Sequence, residues 1–416
     1  MIDRLLAYGR SAENTYLAAF NLTGGLNFLY LIAVGLVLGA DSYGLFIALF
    51  GVVYLVSALA NTIQLATAKQ IAAHGGDLSN VLKPAVVATA SVTVLLLAAT
   101  PALTGWFNAS TSDIVWTALA AGLTIAAGTG YGVAQGLQRF NALSASQVVM
   151  GGGRIAIGLT LLGAGFGVSG ALAGVALGYL PSLLVLGLGT RSAETTDPQA
   201  PTSAAPSPST LLATFITSVA VAAPTSLDVV IIQHFFAAEE SGVYASIAVL
   251  GRVVLFVPIA VSHVVLPRAA SRDAGDTRLL TPALTKTLVL SLLTAGGIMA
   301  TVSAGFSPTG DVSAHLGATA WYLLGMVAIS GAVPIAYYQI GRGNYSVVYA
   351  ALLPGIAVAA TGLLLYHPSL VAAAQVLCVV QLGVLAGAIA LSLPQFSAES
   401  RPRLAPSVPA PSARRS

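Results

Sequence analysis

Charged side chains are scarce in this sequence of 416 residues, making up only 7% of its length. A soluble globular domain carries about 25% charged residues, so composition excludes an ordinary soluble fold. Hydrophobic residues make up 56% of the chain, and apolar segments long enough to cross a bilayer recur along nearly all of it. The composition therefore predicts an all-α, polytopic membrane protein.

Cysteine is also scarce, since Cys378 is the single one. It cannot form an intrachain disulfide, and its place in an apolar segment argues against thiol chemistry. No phosphate-binding loop of the form GxxxxGKS or GxxxxGKT is present, which argues against ATP hydrolysis. The sequence also lacks paired carboxylates, a nucleophile with its base, and histidines at metal-ligand spacing. We therefore expect no enzyme activity, no cofactor and no bound metal, and nothing indicates nucleic acid as a partner.

Twelve apolar segments are long enough to be membrane spans, and a stretch rich in Pro, Ser, Ala and Thr divides them into two groups of six. They lie at 15–38, 43–65, 84–103, 113–136, 143–164, 168–190, 210–236, 242–266, 283–306, 318–340, 345–366 and 369–393. We predict an N-terminal six-helix bundle over 1–190 and a cytoplasmic linker over 191–209. A C-terminal six-helix bundle over 210–393 and a disordered cytoplasmic tail over 394–416 complete the domain prediction.

Basic residues are concentrated on one side of this topology. With the N-terminus in the cytoplasm, fifteen of the 17 Lys and Arg residues fall on the cytoplasmic side, and the other two, Arg154 and Arg252, lie within spans. The positive-inside rule then predicts a multi-pass protein of the cytoplasmic membrane with both termini in the cytoplasm. The Ala-rich, Lys-poor composition is typical of a GC-rich bacterial genome.

The two halves are similar at an offset of about 200 residues. The matching pairs in the second and eighth spans are Ala48 and Ala248, Gly51 and Gly251, Val53 and Val253, Leu55 and Leu255, and Ala60 and Ala260. A parallel duplication predicts two pseudo-symmetric bundles with an axis along the membrane normal. The substrate site is then expected between the halves, with spans one, two, seven and eight at the central cleft.

Asp228 and Arg252 lie within the seventh and eighth spans, at similar distances from the short acidic turn between them. A charge near the bilayer centre costs at least about 2.5 to 3.5 kcal/mol, so it normally faces a bundle interior or wet cavity and has a partner. We predict that the two side chains come within salt-bridge reach in at least one conformational state. Arg252 could only neutralise Asp228, or it could bind phosphate oxygens of a substrate. Asp228 could be half of a buried pair, or a carboxylate that carries a proton.

Arg154 follows Gly151, Gly152 and Gly153 near the middle of the fifth span. Three consecutive glycines favour a locally loosened helix, whose backbone groups need water or protein partners, and this predicts a second wet position. The alternative is a helix packed closely through glycine, with Arg154 bonded to neighbouring carbonyl groups.

The amides Asn27, Asn61 and Gln64 in the first two spans would form a polar, uncharged wall opposite the charged pair. They could contact substrate, or they could hydrogen bond between helices. Pro224 and Pro258 predict kinks in the two charged spans. A series of glycines at small-residue spacing predicts a packing face between spans five and six: Gly163, Gly167, Gly170, Gly174 and Gly178.

A family resemblance rests on three segments, 41–46 (DSYGLF), 135–140 (QGLQRF) and 240–248 (ESGVYASIA), together with Asp228 and the Gly251-Arg252 pair. These residues resemble the polysaccharide-exporting, Wzx-like flippases of the multidrug/oligosaccharidyl-lipid/polysaccharide exporter superfamily. The resemblance implies two six-helix bundles around a cavity that opens alternately to each side of the membrane. It implies a substrate of undecaprenyl-pyrophosphate-linked sugar repeats, with Arg252 and Arg154 at cationic cavity positions. The protein partners that it implies are a glycan polymerase and glycosyltransferases, and the protein is expected to be embedded in the lipid bilayer.

Two other functions stay open at this point. An ion-coupled exporter of cationic drugs in the same superfamily would favour a negatively charged cavity, and two arginines against one aspartate argue against it. A membrane-embedded glycan enzyme or an assembly scaffold is disfavoured by the short outer loops, the longest of which has about a dozen residues between Phe306 and Ala318.

Overall fold

The computed structural model describes residues 12–74, 79–191, 208–255 and 280–399, which are almost entirely helical. The first half contains α1 (Ala12–Leu38), α2 (Ala40–His74), α3 (Ser79–Ala98), α4 (Thr100–Phe107), α5 (Thr111–Gly136), α6 (Phe140–Gly163), α7 (Gly167–Leu177) and α8 (Tyr179–Arg191). The second half contains α9 (Pro208–Ala222), α10 (Leu227–Phe235), α11 (Ala238–Arg252), α12 (Leu280–Ser303), α13 (Leu316–Gly341), α14 (Leu353–Leu365) and α15 (Leu370–Glu399). Ten helical segments within these ranges are long and apolar enough to cross a membrane, which confirms the predicted class.

Some predicted spans are broken helices. Span three is α3 followed by α4, and span six is α7 followed by α8. A 3-10 turn at Ala223–Thr225 interrupts span seven at Pro224, and a π-helical turn at Val348–Leu352 precedes α14 in span eleven. The last helix continues to Glu399, six residues past the end of the predicted span. Pro258, most of the predicted linker and residues 400–416 lie outside the described residues, so those predictions stay predictions.

The helices of each half pack in the same pairwise pattern. In the first lobe, α1–α8, the contacts are α2 with α5, α1 with α6, and α3 with α5. In the second lobe, α9–α15, the equivalent contacts are α11 with α13, α10 with α14, and α12 with α13. Because the same spans meet in both halves, the chain forms the two pseudo-symmetric bundles that the duplication predicts.

The lobes contact each other through the spans predicted to form the central cleft. α2 packs against α9, α10 and α11, and α11 also contacts α1. The approach is closest at Gly242 of α11, where an added Cβ would lie 2.0 Å from the carbonyl oxygen of Ala40. Gly44 of α2 lies on the other side of the same contact, since its Cβ would be 2.9 Å from the backbone nitrogen of Gly242. The two lobes therefore touch backbone to backbone here.

We call this side of the molecule, which carries Asp41, Glu239 and Asp311, the acidic end. It is the side predicted to face outward. A hydrogen bond from the Ser313 hydroxyl, with another from the backbone N–H of Ala314 at 3.2 Å, lowers the pKa of Asp311. This carboxylate therefore stays ionised at neutral pH. The opposite side, with Lys83, Arg139, Arg191 and Arg342, is the basic end.

An aromatic cluster also joins the lobes at the acidic end. The ring of His234, at the end of α10, stacks on Trp106 of α4 with centroids 3.8 Å apart, and its Nδ1 hydrogen bonds to the Trp106 carbonyl at 2.8 Å. The neighbouring Phe235 stacks on His367 at 4.0 Å. Trp106 belongs to the first lobe and the other three residues to the second, so the cluster holds the lobes together on this side.

Inside the first lobe, α5 packs on α2 through a glycine stripe of Gly128, Gly132 and Gly136. An added Cβ at any of the three would lie within 2.7 Å of an α2 carbonyl oxygen: that of Ala60 for Gly128, of Gln64 for Gly132 and of Ala68 for Gly136. Small residues let transmembrane backbones approach this closely. No prediction from the sequence concerns these three glycines.

The glycine series predicted to form a packing face does so only in part. Gly174 and Gly178 pack against α6, where their Cβ atoms would lie 2.3 Å from Gly158 and 2.9 Å from the backbone nitrogen of Arg154. At Gly163 and Gly167 nothing lies within 4 Å of the Cβ position, and the prediction is wrong there. Both lie at the turn between α6 and α7, where Gly167 has a φ of +55° that side chains rarely adopt.

The glycine stripe gives a test of the first lobe. Gly132→Leu is expected to destabilise the protein by at least about 1 to 3 kcal/mol, because the new side chain meets backbone atoms that cannot rotate away. Gly152→Leu is the matched control, since Gly152 is exposed on α6 with nothing within 4 Å of its Cβ position. The measurement is the thermal unfolding midpoint in detergent. Equal midpoints for the two variants would contradict the close α2–α5 contact.

Candidate functional site

A cavity of about 530 Å³ lies inside the first lobe, among α1, α2, α5, α6 and the start of α8. Three of the residues predicted as substrate contacts line it: Arg154, Asn27 and Asn61. The rest of the lining combines aromatic rings with small and polar side chains: Phe20, Asn21, Thr23, Gly24, Gly25, Phe50, Val53, Tyr54, Ser57, Thr124, Tyr131, Gln147, Met150 and Tyr179. We call this space the first-lobe cavity.

Arg154 lies on an unbroken helix, so the predicted loosening at the three glycines is wrong. Two of the three glycines are instead sites of close packing, whereas Gly152 is exposed with nothing within 4 Å of its Cβ position. The Cβ position of Gly151 lies 3.2 Å from the Leu26 side chain, and that of Gly153 lies 3.4 Å from Pro181. Neighbouring helices fill the space that side chains would occupy, and α6 keeps its backbone hydrogen bonds.

The guanidinium of Arg154 is held by side chains rather than by the carbonyl groups of the alternative prediction. Nη1 donates a short hydrogen bond to Oδ1 of Asn27, and Nη2 donates to the Tyr179 hydroxyl at 3.5 Å. The rings of Phe50 and Tyr179 each lie 5.7 Å from the guanidinium carbon, within cation–π range. Arg154 is only 4% exposed. Its position is therefore fixed by α1, α2 and α8 together.

The charge of Arg154 has no counter-ion in the part of the chain that the structure describes. Its contacts are an amide, a phenol and two rings, and no carboxylate lines the first-lobe cavity among these residues. Nε is buried and has no hydrogen-bond partner. A buried guanidinium with a spare donor favours an anion or an acceptor oxygen beside it.

The predicted amides have different roles in the structure. Asn27 is the acceptor for Arg154, and Asn61 faces the first-lobe cavity. Gln64 does not line this cavity, since its Nε2 donates to Oε1 of Gln135 at 3.1 Å, between α2 and α5. Gln64 thus fits the interhelical alternative, whereas the other two lie where a substrate could reach them.

Asp228 lies in the second lobe, away from the first-lobe cavity. It is 1% exposed, and its Oδ2 accepts a hydrogen bond from the Tyr244 hydroxyl at 3.2 Å. Its Oδ1 has no partner. A small space of about 30 Å³ beside it is lined mainly by apolar residues, with Gln381 as the other polar one. Both the Oε1 and the Nε2 of Gln381 are buried without partners.

Arg252, the last residue of α11, is half-buried between the lobes. In this structure it makes no ion pair with Asp228, and its Nε and Nη2 are buried without hydrogen-bond partners among the described residues. The two charges are close enough to interact electrostatically. The charge of Arg252 also acts on Tyr43 and Tyr54 of α2, and Tyr54 lines the first-lobe cavity. The predicted pairing concerns at least one conformational state, so it stays a prediction.

Sequence reasoning missed the aromatic side chains of the site. Phe50, Tyr131 and Tyr179 surround the guanidinium of Arg154 or line the cavity beside it, and Tyr244 bonds to Asp228. Aromatic residues are ordinary in transmembrane helices, so their sequence positions carry no distinct signal. Only the fold brings these rings to the buried charges.

Comparison with known proteins was made on sequence and on structure. No protein-family profile matches the sequence, and no curated protein is significantly similar to it. An inward-facing multidrug resistance MATE family transporter of the MOP superfamily is similar in structure, with a TM-score of 0.64 at 16% identity over 89% of this chain and 94% of that one. The lipid II flippase MurJ, in an inward closed conformation, has a TM-score of 0.68 at 14% identity over 92% of this chain and 89% of its own. A MATE structure in complex with MaD5 has a TM-score of 0.61 at 16% identity, over 94% and 96% of the two chains.

These similarities identify the fold. The chain has a two-lobed, all-α membrane fold, which it shares with the MATE transporters and with the lipid II flippase MurJ.

Removing the charge of Asp228 tests how the second lobe is stabilised. Asp228→Asn is expected to lower stability by about 1 to 3 kcal/mol, because a buried hydrogen bond to a charged acceptor is weakened and Arg252 loses the carboxylate nearby. Glu239→Gln is the control, since Glu239 is exposed in the first turn of α11. The readout is the thermal unfolding midpoint in detergent. A midpoint equal to that of the control would argue against any stabilising role of this charge.

Proposed function

We propose that this chain is a flippase that moves undecaprenyl-pyrophosphate-linked oligosaccharide repeat units across the bacterial cytoplasmic membrane. The observation that supports the proposal most is Arg154, a buried cation with no counter-ion among the described residues, beside a cavity of about 530 Å³. The predicted orientation, with both termini in the cytoplasm, belongs to the same proposal. So do the predicted domain boundaries and the predicted partners, which are a glycan polymerase and glycosyltransferases.

The charge of the cavity favours an anionic head group. An uncompensated arginine in a low-dielectric interior is unfavourable. The oxygens of a pyrophosphate can accept a hydrogen bond from Nε of Arg154, and they can replace Asn27 and Tyr179 as acceptors for its other nitrogens. Arg252 adds a second guanidinium with unpartnered nitrogens between the lobes. Two such cations suit a substrate with phosphate groups better than a cationic one.

The remaining lining suits sugars. Phe20, Tyr54, Tyr131 and Tyr179 present flat apolar rings, and three of them add a hydroxyl at the edge. Amides from Asn27 and Asn61 offer both donors and acceptors for sugar hydroxyls. The polyprenyl tail stays in the surrounding lipid while the head group occupies the hydrated cavity.

Transport by alternating access would separate the lobes at the acidic end. The described residues there form the backbone contact between Ala40 and Gly242 and the stack of Trp106 on His234. Opening toward the outside must break both, because each joins the first lobe to the second. The Pro224 turn, between α9 and α10, is a position where the second lobe can bend without losing further backbone hydrogen bonds.

A drug exporter of the same superfamily is the second candidate. The MATE transporters support it as structural neighbours, and the buried Asp228 provides a carboxylate that could couple transport to protons. The first-lobe cavity argues the other way, since its described lining has a cation and no carboxylate. Substrate charge therefore separates the two functions.

Arg154 variants test the proposed substrate contact. Arg154→Gln is expected to reduce export of lipid-linked glycan about tenfold or more, since a charged hydrogen bond contributes about 1.5 to 3 kcal/mol. Arg154→Lys should retain part of the activity, because it keeps a point charge but loses the planar fork. Export is measured per amount of protein in the membrane.

Arg342→Gln is the matched control, because Arg342 lies at the basic end, where it donates to the Tyr338 hydroxyl at 3.1 Å. It should export normally. Full export by Arg154→Gln would remove Arg154 as a ligand. Efflux of a cationic drug by the wild type, with no effect on lipid-linked glycan, would reject the flippase function in favour of the exporter.

A double substitution tests whether Arg252 binds substrate or serves only Asp228. If its role is structural, Asp228→Asn combined with Arg252→Gln should restore much of what either single change lost, since the two charges are removed together. If Arg252 binds phosphate, the double variant should reach the membrane and still fail to export glycan. Full export by the double variant would reject Arg252 as a ligand.

A further inference from the structure

The first lobe has a second cavity, of about 570 Å³, which we call the lateral groove. Helices α3 and α8 both pack on α5, and the groove lies where they diverge. It is lined by residues within 82–90 of α3, 126–133 of α5 and 183–190 of α8. Val86, on its α3 side, is 65% exposed, so the groove opens sideways to the bilayer.

The lining of the lateral groove is hydrocarbon. Apart from three threonines, every lining residue is Ala, Gly, Leu or Val. Thr129 and Thr190 direct their hydroxyls to carbonyl oxygens of their own helices, at 3.2 and 2.8 Å. Along α3 the groove covers nine residues, or about 12 Å at 1.5 Å per residue, in the half of the membrane nearer the basic end. Such a surface at this depth fits an alkyl chain.

The mouth of the lateral groove has a basic residue beside it. Lys83 directly follows the lining residue Leu82 and is exposed. Within their described ranges, α3 and α8 contain no carboxylate. Basic residues at the membrane surface attract anionic lipid head groups, at about 1 kcal/mol per residue.

A helix separates the lateral groove from the first-lobe cavity. On α5, Tyr131 lines the cavity, whereas Gly130 and Val133 line the groove. The seam between α5 and α8 is closed by the Tyr131 and Ser182 hydroxyls, which are 3.3 Å apart. It is also closed by Leu186, whose Cδ1 lies 2.9 Å from the Cβ position of Gly130. An occupant of the groove therefore keeps its head group at the membrane surface.

We propose that the lateral groove is a binding site for one anionic phospholipid of the leaflet at the basic end. Its acyl chain lies between α3, α5 and α8, and its phosphate lies at the mouth beside Lys83. This lipid fills the gap between α3 and α8, which both pack on α5. Binding of this lipid is independent of which substrate the protein transports.

Two variants remove the two parts of the site. Gly187→Trp fills the groove, where nothing lies within 4 Å of the Cβ position. Lys83→Gln removes a charge at the mouth. Native mass spectrometry of the purified full chain, titrated with phosphatidylglycerol or with phosphatidylcholine of the same acyl chains, measures binding. We expect one phosphatidylglycerol to bind the wild type more tightly than phosphatidylcholine. Gly187→Trp should abolish this binding, and Lys83→Gln should weaken it about fivefold, the equivalent of about 1 kcal/mol.

The controls have the same chemistry elsewhere on the chain. Gly296→Trp places the same ring at an exposed position of α12, also with nothing within 4 Å, and Lys286→Gln removes an exposed lysine from that helix. Both should bind phosphatidylglycerol as the wild type does. If Gly187→Trp does not fold, Gly187→Leu fills less of the groove and serves the same purpose. Equal binding of the two lipids, an unchanged Gly187 variant, or tighter binding of polyprenyl phosphate than of phosphatidylglycerol would each overturn the proposal.

Discussion

A buried guanidinium that has no counter-ion in the described part of the chain is the constraint on which the first lobe depends. Arg154 is 4% exposed in a chain with 7% charged residues, and its described contacts are an amide, a phenol and two aromatic rings. These contacts come from three elements, with both Tyr179 contacts on α8, so α1, α2 and α8 must all be in place before the charge is satisfied. The cavity exists because these groups surround the guanidinium without covering its Nε. The contacts that hold Arg154 thus create the polar cavity and also fix the helices of the first lobe relative to one another.

Close packing through glycine makes this arrangement possible. In hydrocarbon, helices gain little from burying apolar surface, so they associate where their backbones can approach. The Gly128, Gly132 and Gly136 stripe joins α5 to α2, and Gly174 and Gly178 join the sixth span to α6. Gly242 does the same between the lobes. At that point the contact between the lobes is made of backbone atoms, whereas the stack of Trp106 on His234 joins the lobes through side chains.

Composition and hydropathy were sufficient to predict the class of the fold, because span length and the six-plus-six division follow from the bilayer itself. They were not sufficient for the interior of the spans. The 3-10 turn at Ala223–Thr225 contains Pro224, and the breaks at Ala99 and Gly178 are single residues, so hydropathy averages over all three. The Gly151–Gly153 run was misinterpreted for a related reason. Glycine loosens an isolated helix, but here Leu26 and Pro181 occupy the space it leaves.

The site was predictable where it depends on charge and unpredictable where it depends on geometry. Arg154, Asn27 and Asn61 were selected because polar groups in a membrane are costly, and they line one cavity. Gln64 was selected by the same rule, yet it bonds between helices, since a single sequence cannot show which way an amide points.

Duplication also explains an asymmetry in charge between the two lobes. The position of Asp228 corresponds to Asn27 in the first half, so the described lining of the first-lobe cavity has a cation and no carboxylate, whereas the second lobe has both Asp228 and Arg252 within its spans. Two lobes with the same packing thus differ in charge, and the first-lobe cavity is the one suited to an anion.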